Sequence, residues 1–528
     1  MSTETAHVDT FVIDGLPPLE QWPEISFERG GLSYPDRMNA ATDLLDNAID
    51  RGWGDRPCTA LGDINWTYSQ LLDQANRIAE VLVNNAGVVP GNRVLLRGPN
   101  APWMVAAWFG CLKAGAVAVA TMPMLRAVEL SKIHAKCSPT VAICEVGDEG
   151  PVLEAGGVPV LTWGTDGTLS SAMEAASGSF DNVDTAATDP ALLGFTSGTT
   201  GEPKAAIHFH RDVSVVADVF VPLLDVGPHD IFVGSAPLAF TFGLGGHIIF
   251  PMSVGASTVY CETPGPGPLA ELIADRGATV CFTAPTAWRA MMLADPSPDL
   301  SSLRVGVSAG ETLPAATFEL VENTLGVRLV DGLGATELLH IFLACGPDEA
   351  IPGKTGKPLK AFEAKLIGDD GNELGDGQVG RLAVRGPIGC RYLNDERQKV
   401  YVQDGWNVTG DSYIRDADGY YQYQARSDDM IISSGYNIAA PEVEAAVIQH
   451  PAVAEVGVIG SPDEARGRIV HAFICLNSGY EPTDELAKEI QNHVKATVAP
   501  YKYPRRITFS AEPLPKTNTG KLQRNRLG

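Results

Sequence analysis

Between residues 93 and 307 the chain alternates short apolar strands with helices, and this alternation restricts it to parallel sheets covered by helices. Residues 93–97, Arg-Val-Leu-Leu-Arg, read as a buried strand, 103–114 as a helix and 116–121 as the next strand. The pattern recurs at 141–144, 214–224, 256–261, 269–276, 280–282 and 304–307, without a fixed-period repeat. Upstream, Thr67-Tyr-Ser-Gln70 forms a capping box ahead of the apolar-periodic stretch 71–82 and starts a helix there. Residues 1–60 read as an irregular lead-in with one amphipathic helix over 40–49. The longest apolar run, 104–124, contains Gly110, Lys113 and Gly115 and ends as a strand, so a buried helix and strand explain it better than a membrane span.

From about residue 354 the texture changes. Gly and Asp clusters punctuate short strands at 364–367, 380–384 and 420–424, which predicts a small antiparallel β subdomain. Beyond Arg426-Ser-Asp-Asp429 come a helix with Pro441 in its first turn, a strand at 455–460, a helix at 485–494 and a basic tail. These last hundred residues read as a separate small α+β domain. A chain of 528 residues exceeds the size at which one core keeps growing, so several units are expected.

Within this frame stands Phe195-Thr-Ser-Gly-Thr-Thr-Gly-Glu-Pro-Lys204, in which six of ten residues are Gly, Ser or Thr. Glycines let backbone N–H groups turn toward an anion, hydroxyls add donors, and Lys204 adds a mobile positive charge. Such a loop can hold a polyphosphate. The spacing is not Walker A, since Gly201 is followed by Glu202-Pro203-Lys204. Alone, the stretch can also be read as a low-complexity surface loop.

Charge sharpens this. With 39 basic against 64 acidic residues the net charge is −25 and no long Lys/Arg run occurs, which argues against a nucleic-acid partner. An anionic substrate such as ATP would then have to be captured by local donors and a metal ion. The nine cysteines are scattered with no C-x-x-C pair, as expected of reduced, mostly buried thiols in a cytoplasmic protein. The N-terminus is acidic and lacks the apolar stretch of a signal peptide.

Further motifs follow in order: Ser308-Ala-Gly-Glu311, Asp331-Gly-Leu-Gly-Ala-Thr-Glu337, Trp406-Asn-Val-Thr-Gly-Asp411, Arg426-Ser-Asp-Asp-Met-Ile431 and Pro515-Lys-Thr-Asn-Thr-Gly-Lys521. With the glycine-rich stretch they resemble, over nearly the whole chain, the adenylate-forming superfamily of acyl-CoA synthetases, luciferases and adenylation domains. The resemblance implies an α/β fold: a large N-terminal domain, 1–427, of two helix-covered sheets plus the β subdomain, followed by a small mobile C-terminal α+β domain, 428–528. It implies ATP, Mg²⁺ and coenzyme A as cofactor and co-substrates, and a monomer or homodimer.

By the same resemblance Thr196, Ser197, Gly198, Thr199, Thr200, Gly201 and Lys204 cradle the phosphates, and Glu337 with Thr199 holds Mg²⁺. Ala309, Gly310 and Glu311 line the adenine, joined by Asp331, Gly332, Leu333, Gly334 and Thr336, while Asp411 accepts from the ribose hydroxyls and Arg426 reaches the ribose from across the cleft. Lys521 becomes the catalytic residue, bridging the acid's carboxylate and the α-phosphate. Asp428 matches a hinge, after whose rotation Ser434, Gly435 and Tyr436 line a passage for the coenzyme A thiol. Without that context Glu337, Asp411, Arg426 and Lys521 are ordinary surface charges. His208-Phe-His210 is spaced like a metal pair but lacks nearby acids and reads as structural.

The acid site falls on Leu238-Ala-Phe-Thr-Phe-Gly-Leu-Gly-Gly246 and on His340-Ile-Phe342. Thr241, Phe242, Gly243, Ala309, Gly332, His340 and Ile341 resemble the benzoate-CoA ligase branch, where a compact planar pocket grips an aromatic ring. Benzoate ligases carry Ala-Tyr where this chain has Thr241-Phe242. A hydroxyl at 241 can hydrogen-bond an ortho amino group, a pattern similar to 2-aminobenzoate-CoA ligases. A medium-chain acyl-CoA ligase or a carrier-protein-loading enzyme stays open as the alternative. Amino-acid adenylation domains, however, place an Asp in this motif, and Ala239-Phe240-Thr241 is uncharged.

Overall fold

The computed structural model describes residues 4–196, 202–294, 298–368, 370–426, 430–433, 436–463, 467–498, 502–516 and 522–528. Two large sheets carry most of the chain. In the first, strands run in the order Val160–Trp163, Val141–Glu145, Arg93–Arg97, Val117–Thr121, Pro190–Thr196 and Lys204–Phe209. The first five are parallel and the last pair is an antiparallel hairpin. The second sheet has a parallel interior of Leu329–Gly334, Val305–Ala309, Val280–Thr283, Ile231–Gly234, Ser257–Val259 and Pro57–Leu61. Its edges are antiparallel, with Ile341–Ala344 and Lys357–Pro358 on one side and Ile64–Thr67 on the other.

These elements form where apolar side chains can be buried on two faces, as a helix-covered parallel sheet requires. All five residues of Arg93–Arg97 are buried, and so is nearly every residue of the helix Pro102–Lys113 packed beside it. Lys113, the charge inside the longest apolar run, is fully buried, with its ammonium 2.6 and 2.7 Å from the Asp46 oxygens and 2.8 Å from Asn182. The capping box at Thr67 is present: its hydroxyl accepts from Gln70 N at 3.2 Å while the Gln70 side chain accepts from Thr67 N at 2.9 Å. It opens the helix Tyr68–Asn84.

The lead-in is less irregular than its composition predicts. Pro57–Leu61 pairs in parallel with Ser257–Val259, a partner two hundred residues away that a short, proline-led segment does not announce. The helix expected over 40–49 is a π-helical turn, Thr42–Asp46, followed by Asn47–Asp50.

Beyond the second sheet, Glu363–Ile367, Val379–Arg385, Val402–Gln403, Trp406–Arg415 and Tyr421–Arg426 form an antiparallel sheet. The C-terminal part has a hairpin, Met430–Ser433 with Tyr436–Ala439, and a three-stranded sheet of Val453–Asp463, Gly467–Leu476 and Arg506–Phe509. The helices Ala440–Val447 and Asp484–Thr497 cover it. Its apolar cluster draws only on residues beyond 430, among them Ile431, Val443, Val458, Ile474 and Ile490. The architecture is thus α/β, with a large N-terminal and a small C-terminal part.

Candidate active site

The glycine-rich stretch lies in sequence between Pro190–Thr196 and Lys204–Phe209, the antiparallel pair at the edge of the first sheet, in which Thr196 stands opposite Lys204. Ser197, Gly198, Thr199, Thr200 and Gly201 lie outside the described residues. Glu202, just before the second strand, is tied down from outside. The Arg397 guanidinium donates to the carbonyl of Glu202 at 3.0 Å and is paired with Asp395 at 2.6 Å, and Lys132 pairs with the Glu202 side chain at 3.0 Å. At the near end, the buried Thr196 Oγ1 has no hydrogen-bond partner among the described residues.

The second sheet meets this hairpin at its carboxyl ends, where ligands of open α/β sheets bind. Val305–Ala309 and Leu329–Gly334 run side by side, with Ser308 opposite Asp331 and Ala309 opposite Gly332. A 3₁₀ turn, Thr336–Leu338, follows, and Leu339 at φ +67° turns the chain back so that Ile341–Ala344 pairs antiparallel with the strand just left. A leucine in that region carries strain, and such strain gathers at functional sites.

Glu337 sits on this turn, 7% exposed, facing the hairpin. The Tyr392 hydroxyl donates to its Oε1, and Lys204 Nζ lies 3.4 Å from the same oxygen and 2.6 Å from the Tyr392 oxygen. Its Oε2 takes no hydrogen bond among the described residues. His208 Nε2 donates to the Thr336 carbonyl at 2.7 Å. A Cβ on Gly194 would come within 2.6 Å of Thr336 Cγ2, so glycine there lets hairpin and turn touch. Burial pushes the His208 imidazole down to about 4, which keeps it a neutral donor. His210 is equally buried and accepts from Ala40 N at 3.1 Å, so both histidines serve structure.

At the nucleotide end, Gly310 has φ +89° and open space where a side chain would stand. The Ser308 hydroxyl is buried without a partner among the described residues. Thr286 donates to the Glu311 carboxylate from Oγ1 at 3.5 Å and from its N–H at 3.4 Å, which holds Glu311 beside the loop. Burial pushes the Asp331 carboxyl up to about 7, against a hydrogen bond from Thr355 that acts the other way. The Tyr413 phenol is raised by burial and by the nearby Asp411 and Asp331, which puts these two carboxylates in one neighbourhood. Asp411 and Arg426 stand opposite each other in register on adjacent antiparallel strands. Leu333 is half-buried and Gly334 exposed.

The acid end gathers around the helical turn Thr241–Leu244, which runs into a π-helical stretch, Gly245–Ile249. Phe242 is half-buried, its ring 5.8 Å from the His340 ring and 5.7 Å from that of Phe282. His340, 2% exposed, also meets Phe250 at 4.5 Å and Phe220 at 5.5 Å, and its Nε2 donates weakly to the Phe242 carbonyl at 3.4 Å. Burial pushes its imidazole down to about 3, so it enters this wall as a neutral ring. Ile341 fills the space over Gly332, where any Cβ would collide with it. Gly243 is excluded from having a side chain by the Ala236 and Pro237 carbonyls. Thr241 borders a narrow cavity behind the site, shared with Gly194, Leu192, Trp108 and Leu244.

The structure therefore brings Thr196, Lys204, Thr336 and Glu337 to one point, with Ala309, Gly332, Phe242, His340 and Ile341 beside it. Asp428, Ser434, Gly435 and Lys521 lie outside the described residues, and of Tyr436 only its place at the start of the second hairpin strand is defined. Sequence reasoning missed Tyr392 and Arg397. Both lie in a stretch with no motif of its own, brought to the site because residues 391–393 run along the Lys204–Phe209 strand, with Ile207 N donating to Arg391 O at 2.8 Å and Leu393 N to Ala205 O at 2.9 Å.

No group of three or more His, Cys, Asp or Glu side chains capable of holding a metal occurs among the described residues. A lone carboxylate with a free oxygen suits Mg²⁺, which is commonly bound through one or two carboxylates plus substrate phosphates. No helix among the described residues is long and apolar enough to cross a membrane.

Lys204 and Glu337 meet at the ends of parallel strands with the Phe242 and His340 rings nearby, and the matches that follow make the chain an ATP-dependent, AMP-forming acid–CoA ligase of the adenylate-forming class. The chain belongs to the AMP-binding enzyme family, which residues 46–391 match, and residues 442–521 match the AMP-binding enzyme C-terminal domain. It is 34% identical to the benzoate–CoA ligase of Thauera aromatica over 94% of this chain and 97% of that one. Among solved structures it is similar to the anthranilate CoA ligase AuaEII in complex with anthranoyl-AMP, with a TM-score of 0.89, 33% identity and coverage of 94% and 98% of the two chains. A benzoate CoA ligase from Burkholderia xenovorans LB400 gives a TM-score of 0.85 at 29% identity over 93% of this chain and 99% of its own.

Proposed function

We propose that the protein is an aryl-CoA ligase. It activates 2-aminobenzoate or benzoate with ATP to an acyl-adenylate and pyrophosphate, then transfers the acyl group to the thiol of coenzyme A and releases AMP. The observation that carries this reading is the apolar wall formed by the Phe242 and His340 rings, 5.8 Å apart, with Ile341 packed over Gly332 beside them. A planar ring gains stacking and edge contacts there that a flexible alkyl chain cannot match. The names of the relatives, benzoate and anthranilate ligases, point the same way.

In this reading residues 196–201 and Lys204 hold the β- and γ-phosphates, and Glu337 with Thr199 would hold Mg²⁺, which neutralises phosphate charge when bound. The glycine turn at Gly310, open where a side chain would stand, leaves room for the adenine, and Asp411 with Arg426 holds the ribose. Lys521 stabilises the charge that builds between carboxylate and α-phosphate. No enzyme nucleophile is needed, because the incoming thiol attacks the activated carbonyl. The units divide at 427/428, with Asp428 as hinge and Ser434, Gly435 and Tyr436 lining the thiol's path. A cytoplasmic setting belongs to the same proposal.

The preference for 2-aminobenzoate rests on the Thr241 hydroxyl. The test is AMP formation with ATP, Mg²⁺ and coenzyme A across benzoate, 2-aminobenzoate, hydroxybenzoates, phenylacetate and hexanoate. Highest kcat/KM for 2-aminobenzoate is expected. A far higher value for benzoate overturns the ortho-amino assignment, and a far higher value for hexanoate overturns the aryl reading itself.

A further inference from the structure

The Tyr392 hydroxyl occupies a position that the reaction as described does not use. Lysine can only donate and a carboxylate can only accept, so the polarity of the chain of contacts is fixed: Lys204 Nζ donates to the Tyr392 oxygen at 2.6 Å, and the Tyr392 hydroxyl donates to Glu337 Oε1. The ammonium also lies 4.6 Å from the Tyr392 ring centroid and 5.7 Å from that of Tyr401.

Tyr392 is itself held firmly. Its N–H donates to Gln398 Oε1 at 2.9 Å, and Gln398 Nε2 in turn donates to Cys390 O at 3.0 Å and Gln21 O at 2.8 Å. Its neighbour Arg391, fully buried, pairs with Asp212 at 3.0 Å and lies 4.2 Å from the Phe209 ring centroid. The hydroxyl therefore comes from a rigid backbone, whereas Lys204 and Glu337 hold their groups on flexible stems.

We propose that Tyr392 is a positioning residue of the site: its hydroxyl fixes the spacing between the phosphate-holding ammonium of Lys204 and the metal-binding carboxylate of Glu337 before the nucleotide arrives. The inference rests on the roles given to Lys204 and Glu337 in the ligase reading. Such pre-organisation removes an ordering cost from nucleotide binding. It concerns binding of the metal–triphosphate unit and not of the adenosine end.

The experiment compares wild type with Tyr392→Phe, which keeps the ring and removes only the hydroxyl. Affinities for Mn²⁺–ATP, read by the electron paramagnetic resonance of bound Mn²⁺, and for AMP, read by calorimetry, are measured alongside thermal unfolding. Mn²⁺–ATP binding is expected to weaken roughly tenfold to a hundredfold, the scale of one lost hydrogen bond to a charged group, with AMP binding unchanged. Unchanged Mn²⁺–ATP affinity, or an equal loss for AMP, overturns the proposal. A double-mutant cycle with Lys204→Met adds an independent check: non-additive losses are expected, and additive ones overturn it. Failure of wild type to bind Mn²⁺–ATP at all would instead remove the ligase reading beneath it.

Discussion

At the residue scale, Lys204 shares its ammonium between Tyr392 and Glu337, so it is poised over the carboxylate rather than reaching out toward solvent. A buried carboxylate without a cation would be costly, and this pairing removes much of that cost. In the proposed reading the catalytic lysine is Lys521, and Lys521→Ala is expected to slow acyl-adenylate formation by roughly 10²–10³-fold or more, as for other lost electrostatic contacts to a transition state. Acid-dependent ATP–pyrophosphate exchange checks it, and near-normal exchange would remove Lys521 from catalysis. Thr241 decides a finer matter. Thr241→Ala is expected to lower kcat/KM for 2-aminobenzoate about tenfold while leaving benzoate nearly unchanged, the imprint of one polar contact. Equal losses for both acids would mean that Thr241 only packs. Lys204, Glu337 and Thr241 were legible in the sequence because each sits inside a motif. Tyr392 was not, since a single tyrosine acquires its meaning only from the strand beside which it lies.

At the element scale, the site depends on an edge hairpin of one sheet touching the carboxyl end of another. The contact runs through Gly194, whose absent side chain leaves room for Thr336, and through the His208 hydrogen bond to the Thr336 carbonyl. Gly194→Ala is expected to push the hairpin off the Glu337 turn and destabilise the fold by about 1–3 kcal/mol, the usual cost of overpacking. Urea unfolding gives the stability, and the KM for ATP is expected to rise in the same variant. No change in either would show that the hairpin can yield without consequence. Most elements were legible: the capping box at Thr67, the strand at 93–97 and the helix at 103–114 carry their periodicity and their stop and start residues within a few positions. Pro57–Leu61 was not, because its strand character comes from the partner strand Ser257–Val259.

At the scale of the whole molecule, five imidazoles, those of His208, His210, His247, His340 and His471, are buried and pushed down to about 4, 3, 4, 3 and 4. In the unfolded chain each takes up a proton near its ordinary value of 6.5, whereas the folded protein leaves it neutral. The unfolded state thus binds more protons below that value, and stability falls as pH falls. Each group costs about 1.4 kcal/mol per pH unit between 6.5 and its folded value. Asp331, raised to about 7, acts in the opposite direction over the same range, and the histidines outnumber it. The denaturation midpoint is therefore expected to drop between pH 6.5 and 5, and a flat profile over that interval would contradict the burial of these rings.

The sequence by itself determined the class of fold and the chemistry. Alternating strands and helices compel covered parallel sheets, and a glycine- and hydroxyl-rich stretch followed by a lysine suits phosphates, though alone it also fits a surface loop. The order of the motifs did the rest. What only the tertiary structure decided is which groups share a point in space. That Tyr392 stands between Lys204 and Glu337, that Asp411 and Arg426 lie on one sheet, and that His340 is a neutral ring in an aromatic wall all depend on contacts between residues far apart in the chain. Periodicity and motif are local properties, whereas burial, hydrogen-bond polarity and the shift of an ionisable group arise only once distant strands have been brought together.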